Sequence, residues 1–312
     1  MTGPLAGLRI LEVGHILAGP YATMLLADLG ADVIKIESKA GDLSRHVGSQ
    51  YVDGHNVYFA SINRNKRSVR IDLDTEDGQA DLHRLVETSD ALLVNLRPPA
   101  IRKLGLDYAS LGAVNPKIVC VALTGYGLDG ADDDGPVFDY LVQAGVGLAA
   151  MSGEPDGPPM LPGYTAADNS SAIMAALGLL AKVHQAGRTG TGGQVDVSMF
   201  ETMLSQLNYK GAQYLNGGVV PTRQPSGGHN FYVPAQLFPT ADGYLAVFVT
   251  RDELWRQLCD AIGEPGWASD PRYMTMHARS KNRDEVIAML TACFAAKSAV
   301  AWEAQLRPLG LP

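Results

Sequence analysis

Along the first two-thirds of the chain, apolar residues fall in short blocks separated by helical patterns. Leu8–Val13 is such a block, closed by Gly14, and reads as a buried strand. Gly19-Pro20 opens a helix over Tyr21–Leu29 and Gly30 stops it, because proline suits a first turn and glycine the position past the end. Val33–Glu37 and Ser68–Leu73 read as the next strands, and Asp74 or Thr75 caps a helix reaching Val86. Ala91–Asn95 and Ile118–Thr124 are further strands. Helical patterns over Asp139–Met151 and about Asn169–Gln185 flank a loop rich in Gly and Pro, Ser152–Gly163. The turn Gly187–Gly193 leads into a strand, Gln194–Ser198, and a helix over about Phe200–Leu215. Strands alternating with helices predict parallel pairing and right-handed crossovers, hence a doubly wound, Rossmann-like α/β domain over residues 1–215.

The pattern then changes. Residues 216–230 are turn-rich and read as a linker. Beyond them, Tyr244–Thr250 reads as a strand, and Asp252–Ile262 and Lys281–Lys297 as helices. This predicts a second, smaller α+β domain over residues 231–312.

Composition narrows the classes. A chain of 312 residues, 46% hydrophobic, supports a large core. A net charge of −8 argues against a nucleic-acid partner, although local basic clusters suit a phosphorylated small molecule. Cys120, Cys259 and Cys293 are far apart with no CxxC, which fits a reducing cytosol better than a disulfide scaffold or zinc site. The opening MTGPLAGLRILEVG lacks the basic-then-apolar order of a signal peptide. The longest apolar stretch, Ala172–Val183, is well short of the ~20 residues a membrane helix needs. A cytoplasmic protein without a membrane partner is expected.

Familiar chemical motifs are absent or broken. The loop Gly14-His15-Ile16-Leu17-Ala18-Gly19 lacks GxGxxG spacing, so NAD binding is not expected even though Glu37 ends the second strand. Gly187–Gly193 lacks the Lys-Ser/Thr ending of a phosphate loop and precedes a strand, so it reads as a turn. Neither GxSxG nor HExxH occurs, and the acidic run Asp132–Asp134 reads as a solvated loop rather than a cation site; no metal is expected.

The motifs resemble a family when taken in order. Leu5–Glu37, Asn63-Arg64-Asn65-Lys66-Arg67-Ser68, Val94-Asn95-Leu96-Arg97-Pro98, Thr124-Gly125-Tyr126-Gly127, Phe138-Asp139, Gln143-Ala144, Asp168 and Gly192–Ser198 together resemble the type III coenzyme A-transferases. That family includes formyl-CoA and carnitine CoA-transferases and α-methylacyl-CoA racemase. The resemblance implies exchange of coenzyme A between an acyl-CoA and a carboxylic acid, with Asp168 as nucleophile through a mixed anhydride and an enzyme–CoA thioester. It implies Asp139 beside the acyl group. It places Ile16 and Leu17 along the coenzyme, and Ser38, Lys66, Asn95, Leu96 and Lys103 on its nucleotide. Lys39 and Arg45 are further basic residues on loops after strands. Gly227 and Gly228 resemble a glycine loop that shields intermediates from water. An interlocked homodimer is implied too, as is a return of the chain into the large domain beyond Leu309-Gly310-Leu311-Pro312.

Departures bear on substrate. Formyl-CoA transferase has glutamine where this chain has Leu17 and lysine where it has Pro136, which points away from an oxalate-like acid and toward a larger dicarboxylic or branched one. The racemase branch has a histidine near residues 121–140, and this chain has none. A binder without catalysis would lack the nucleophile. Asp168 at a helix start also suits an N-cap, and the helix end is expected to favour its ionised form.

Overall fold

A computed structural model describes residues 3–130, 135 and 137–311. The acidic run Asp132–Asp134 and Pro136 lie outside these. In chain order the strands are β1 (Arg9–Val13), β2 (Asp32–Glu37), β3 (Tyr51–Val52), β4 (His55–Asn56), β5 (Lys66–Arg70), β6 (Ala91–Val94), β7 (Val119–Thr124), β8 (Gly193–Ser198), β9 (Ala235–Pro239) and β10 (Tyr244–Phe248). Six of them form one sheet in the order β5-β2-β1-β6-β7-β8, every neighbouring pair parallel. The chain builds outward through β2 and β5, then returns to the other side of β1 through β6, β7 and β8. This is the doubly wound order, and the direction reverses between β1 and β6.

Successive strand side chains point to opposite faces. Ile10, Val33, Leu93 and Val121 therefore join one core, and Leu11, Ile34, Leu92 and Cys120 the other. Burial on both faces is why these strands read as unbroken apolar runs. On the first face, the helix Ala18–Asp28 packs against the helix Ala166–Thr189. Ala18, Ala22, Ala172 and Ala175 are buried there, and their small size lets the two backbones come close. Leu179 is fully buried in the same layer, a contribution of about 1.5–3 kcal/mol.

Several elements differ from expectation. β5 starts two residues earlier than Ser68, because Lys66–Arg70 pairs with Val33–Glu37 as the sheet's outer strand while Ile71 turns into the core. Asp139–Met151 is two helices, Asp139–Gly145 and Leu148–Met151, parted where Gly147 takes φ +82°. The stretch after β8 is likewise two helices, Met199–Gln206 and Asn208–Gly217, with Asn208 at φ +51°.

The chain divides into two compact units. The first holds the described residues up to Leu148 together with Pro162–Gly217; the second holds Ala149–Leu161 and the described residues from Gly218 onward. In the second unit, β9 and β10 form an antiparallel hairpin. Val233, Phe238, Trp255, Phe294 and Trp302 centre its core. Arg279 is fully buried there, donating to the carbonyls of Val233 (2.7 Å) and Tyr273 (2.8 Å) and to Asp252 (2.9 Å), so its charge is satisfied. Arg223 ties Ala149–Leu161 to this unit by donating to the carbonyls of Ala150 (2.8 Å) and Gly157 (2.6 Å).

Candidate active site

In open α/β sheets a ligand crevice forms beyond the strand C-termini, where the winding reverses. Here the loops after β1, β6 and β7 and the residue after β8 enclose a crevice of about 310 Å³. His15, Ile16, Leu17, Asn95, Leu96, Arg97, Tyr126, Asp139 and Asp168 are among its lining. The structure thus brings together Ile16, Leu17, Asn95, Leu96, Asp139 and Asp168, which sequence reasoning had singled out one by one.

Asp168 is the third residue of the helix Ala166–Thr189. It is not the N-cap. Thr165 holds that position and makes no side-chain cap bond. The backbone N–H of Asp168 instead donates to Asp139 Oδ2 at 2.9 Å. Asp139 is itself buried at the start of the helix Asp139–Gly145, and its other oxygen accepts from the amide of Gln143, one turn on. Asp139 therefore caps a helix to which it does not belong and sets a second carboxylate beside Asp168. Burial, and after it the Asp139 charge, push the Asp168 carboxyl from the ordinary 3.8 up to about 7. The helix end was expected to favour the ionised form; desolvation and the neighbouring carboxylate outweigh it. Burial, and after it the Asp168 charge, also raises the Tyr58 hydroxyl.

The loop after β1 is built tightly. Asn95 Oδ1 accepts from the His15 N–H (2.9 Å), and Asn95 Nδ2 donates to the His15 carbonyl (3.1 Å). Both ends of this amide are spent on backbone. Gly14 and Gly19 are glycine for a steric reason: a Cβ at either would sit 2.3 Å or 2.7 Å from Asn95 Oδ1. Ile16 has φ +65°. That left-handed conformation is a genuine outlier for a β-branched residue and costs about 1–3 kcal/mol.

Beneath the loop lies a buried cluster of charges. Glu12 and Lys35 face each other across β1 and β2. Lys35 Nζ reaches Glu12 (2.5 Å), Asp42 (2.7 Å) and the Gly14 carbonyl (3.0 Å). Lys66 Nζ reaches Glu12 (2.7 Å), the Pro20 carbonyl (2.7 Å) and Asn63 (2.9 Å). Two carboxylates thus face two ammoniums, which is how such charges tolerate burial. Burial draws the Lys66 ammonium down to about 8 despite Glu12. Lys66 was expected to grip a nucleotide; it points into the fold because Glu12 needs it.

The other basic candidates lie elsewhere. Lys39 is 85% exposed in its side chain and pairs with Asp72 at 3.2 Å. Ser38 beside it is exposed. Arg45 is committed to Glu37 (2.6 Å) and stacks on Phe59 at 3.7 Å. Lys103 pairs with Asp74 at 2.5 Å and lines a second hollow with Thr75, His83 and Arg102. Gly227 and Gly228 belong to the second unit, where Gly227 ends the turn Pro225–Gly227.

Residues 5–312 match the family described as CoA-transferase family III. The chain belongs to that family. As a family III CoA-transferase it exchanges coenzyme A between an acyl-CoA and a carboxylic acid, and coenzyme A is a substrate rather than a resident group. It is 38% identical over 290 residues to a succinate–glutarate CoA-transferase of Agrobacterium fabrum, covering 91% of this chain and 72% of that protein. It is 36% identical over 291 residues to a succinyl-CoA–D-citramalate CoA-transferase of Chloroflexus aurantiacus, covering 93% and 72%. Among solved structures, a CaiB/BaiF family protein from Brucella suis aligns with a TM-score of 0.87 at 33% identity, covering 100% of this chain and 83% of that one. Among the described residues of this CoA-transferase, no cluster of metal-binding side chains occurs and no single helix is long and apolar enough to cross a membrane.

Sequence reasoning overlooked His15, Glu12, Lys35 and Asp42. A signal for two of them was present: Glu12 and Lys35 are charges inside otherwise apolar strands, and a strand buried on both faces admits a charge only with a partner. Asp42 carried no such mark, because it lies on the loop after β2, where an aspartate usually faces water.

Proposed function

We propose that this CoA-transferase works through Asp168 as a covalent nucleophile and takes dicarboxylic acids. The observation that carries the reading is the carboxylate pair: Asp168 opens into the crevice at the switch point, with Asp139 bonded to its backbone and its carboxyl raised to about 7. A more basic carboxylate is a stronger nucleophile once ionised. Ionised Asp168 attacks the thioester carbon, the C–S bond breaks, and the coenzyme thiolate leaves a mixed anhydride. The thiolate attacks the Asp168 carbonyl and expels the donor acid, which gives an enzyme–CoA thioester. The acceptor carboxylate then attacks that thioester, and the same steps in reverse deliver the new acyl-CoA and free Asp168. Enclosure by the loops after β1, β6 and β7 keeps water from the anhydride.

The helix Pro98–Lys103 runs from the crevice toward the hollow that Lys103 lines, roughly 9 Å at 1.5 Å per residue. We place the coenzyme along it. Asn95 and Leu96 flank the reactive end, Arg97 meets the phosphates at the mouth, and Lys103 lies at the far end. Arg97 suits this role because it lines the crevice and has no ion-pair partner among the described residues. The dicarboxylate preference is supported by the activities named for the two relatives above and by Leu17 in the crevice wall.

The test is trapping. After incubation with succinyl-CoA, hydroxylamine should inactivate the protein and leave a hydroxamate on Asp168. Asp168→Asn should lower exchange by about 10³ or more and leave no adduct. An unaltered exchange rate in that variant ends the nucleophile reading.

A further inference from the structure

The strained turn and the buried charges beneath it carry a role that the nucleophile does not explain. Ile16 N–H donates to Asp42 Oδ1 at 3.2 Å. Asp42 is itself fully buried and over-determined: the same oxygen accepts from Ser44 N and Ser44 Oγ, both at 2.7 Å, and the other oxygen faces Lys35 at 2.7 Å. Glu37 Oε2 accepts from the Asp42 N–H at 2.8 Å, so the backbone that carries the carboxylate is pinned as well. On the far side, Asn95 holds His15 by both its N–H and its carbonyl. His15–Leu17 is therefore gripped from the loop after β6 and from the loop after β2 while its central residue sits in a conformation that isoleucine avoids.

Strain of this kind persists only where the surroundings enforce it. The enforcing group is Asp42, the one side chain among the described residues that bonds the backbone of Ile16 itself. Ile16 and Leu17 line the crevice, so the enforced shape is the shape of its wall. We propose that Asp42 is a positioning residue for acyl-CoA: its buried carboxylate holds Ile16 left-handed so that the His15–Leu17 loop keeps the form that receives the coenzyme. The inference rests on the reading of this crevice as the acyl-CoA site. Without Asp42 the loop relaxes toward ordinary backbone angles, the binding-competent form becomes a minority, and apparent affinity falls by its fraction.

Glycine takes the left-handed conformation freely, which gives the inference its own control. Coenzyme A binding is measured by calorimetry, and succinyl-CoA exchange by KM and kcat, for the unaltered chain, Asp42→Ala, Ile16→Gly and the double variant. Asp42→Ala should weaken coenzyme A binding and raise KM about tenfold, with kcat changed less. In the Ile16→Gly background the same substitution should cost less than about threefold, because the turn no longer needs enforcing. An equal loss in both backgrounds makes Asp42 merely structural and overturns the proposal, as does no loss in either. Should Asp42→Ala fail to fold, Asp42→Asn, whose amide cannot accept on both sides as the carboxylate does, takes its place in both backgrounds, and the same comparison decides. An unaltered chain that binds no coenzyme A sinks the site reading along with the inference, whereas normal binding unaffected by Asp42→Ala sinks the inference alone.

Discussion

A carboxyl group that ionises near 7 destabilises the fold whenever it is charged. Asp168 rises from 3.8 to about 7 on folding, mainly through burial and then through Asp139. Its folded form holds the proton more tightly than its unfolded form. Stability is therefore fullest below the unfolded value, is lost as pH climbs from about 4 to 7, and stays low above 7. The whole shift corresponds to roughly 4 kcal/mol. Asp168→Asn removes the ionisation, so its melting temperature should exceed that of the unaltered chain by several degrees at pH 8 and by much less at pH 5. Thermal melts across that range check it, and a constant difference counts against the raised carboxyl. The same ionisation governs rate: kcat/KM should rise with pH and level off above about 7, since the free enzyme attacks only when Asp168 is charged. Stability and activity thus run in opposite directions on one proton.

At the scale of elements, the turn from β1 into the helix Ala18–Asp28 is where backbone, glycine and amide fit most closely. Gly19→Ala would set a methyl 2.7 Å from Asn95 Oδ1 and 2.8 Å from its Cγ, and neither neighbour has slack, because Asn95 is bonded twice to His15. The variant should lose about 1–3 kcal/mol in urea unfolding and weaken coenzyme A binding, since the loop must move to admit the methyl. Gly187→Ala has open space and serves as the control. This turn was also the most legible part of the sequence: Leu8–Val13, Gly14 and Gly19-Pro20 declare strand, turn and helix by local chemistry alone. Legibility faded where partners are remote. Ala235–Pro239 hid as a strand because the block is short, with Pro234 before it and Pro239 at its end, and its hairpin partner is what makes it a strand. Lys66 resembled a phosphate grip because a cation after an exposed turn usually faces water; the need of Glu12 for a second ammonium shows only once β1, β2 and β5 lie side by side. Asp168 and Asp139 were each legible, but the bond from the backbone of one to the carboxylate of the other was not, because 29 residues separate them.

At the scale of the molecule, the first unit leaves large apolar side chains uncovered on the helices Asp139–Gly145 and Ala166–Thr189 and on the bend before the second. Tyr140 and Leu141 are 51% and 55% exposed, Tyr164 is 59%, and Ile173 and Leu177 are 53% and 58%. Ile173 and Leu177 are one turn apart on the helix Ala166–Thr189, so they share a stripe that begins five residues beyond Asp168. Tyr214 and Leu215 on the helix Asn208–Gly217 are likewise exposed, at 55% and 81%. Single exposed apolar residues need no explanation, but a run of them on neighbouring helices marks a covered face. We propose a second copy of this chain as the cover, in keeping with the homodimer the family resemblance implies. Light scattering should then give twice the chain mass of 33.2 kDa. Leu177→Glu, which buries a charge in such a face, should shift the protein toward monomer and lower its melting temperature in a concentration-dependent way. Because the stripe lies on the helix that also carries Asp168, loss of the partner should lower exchange activity as well. A fully active monomer would separate the assembly from the chemistry and leave this face to some other purpose.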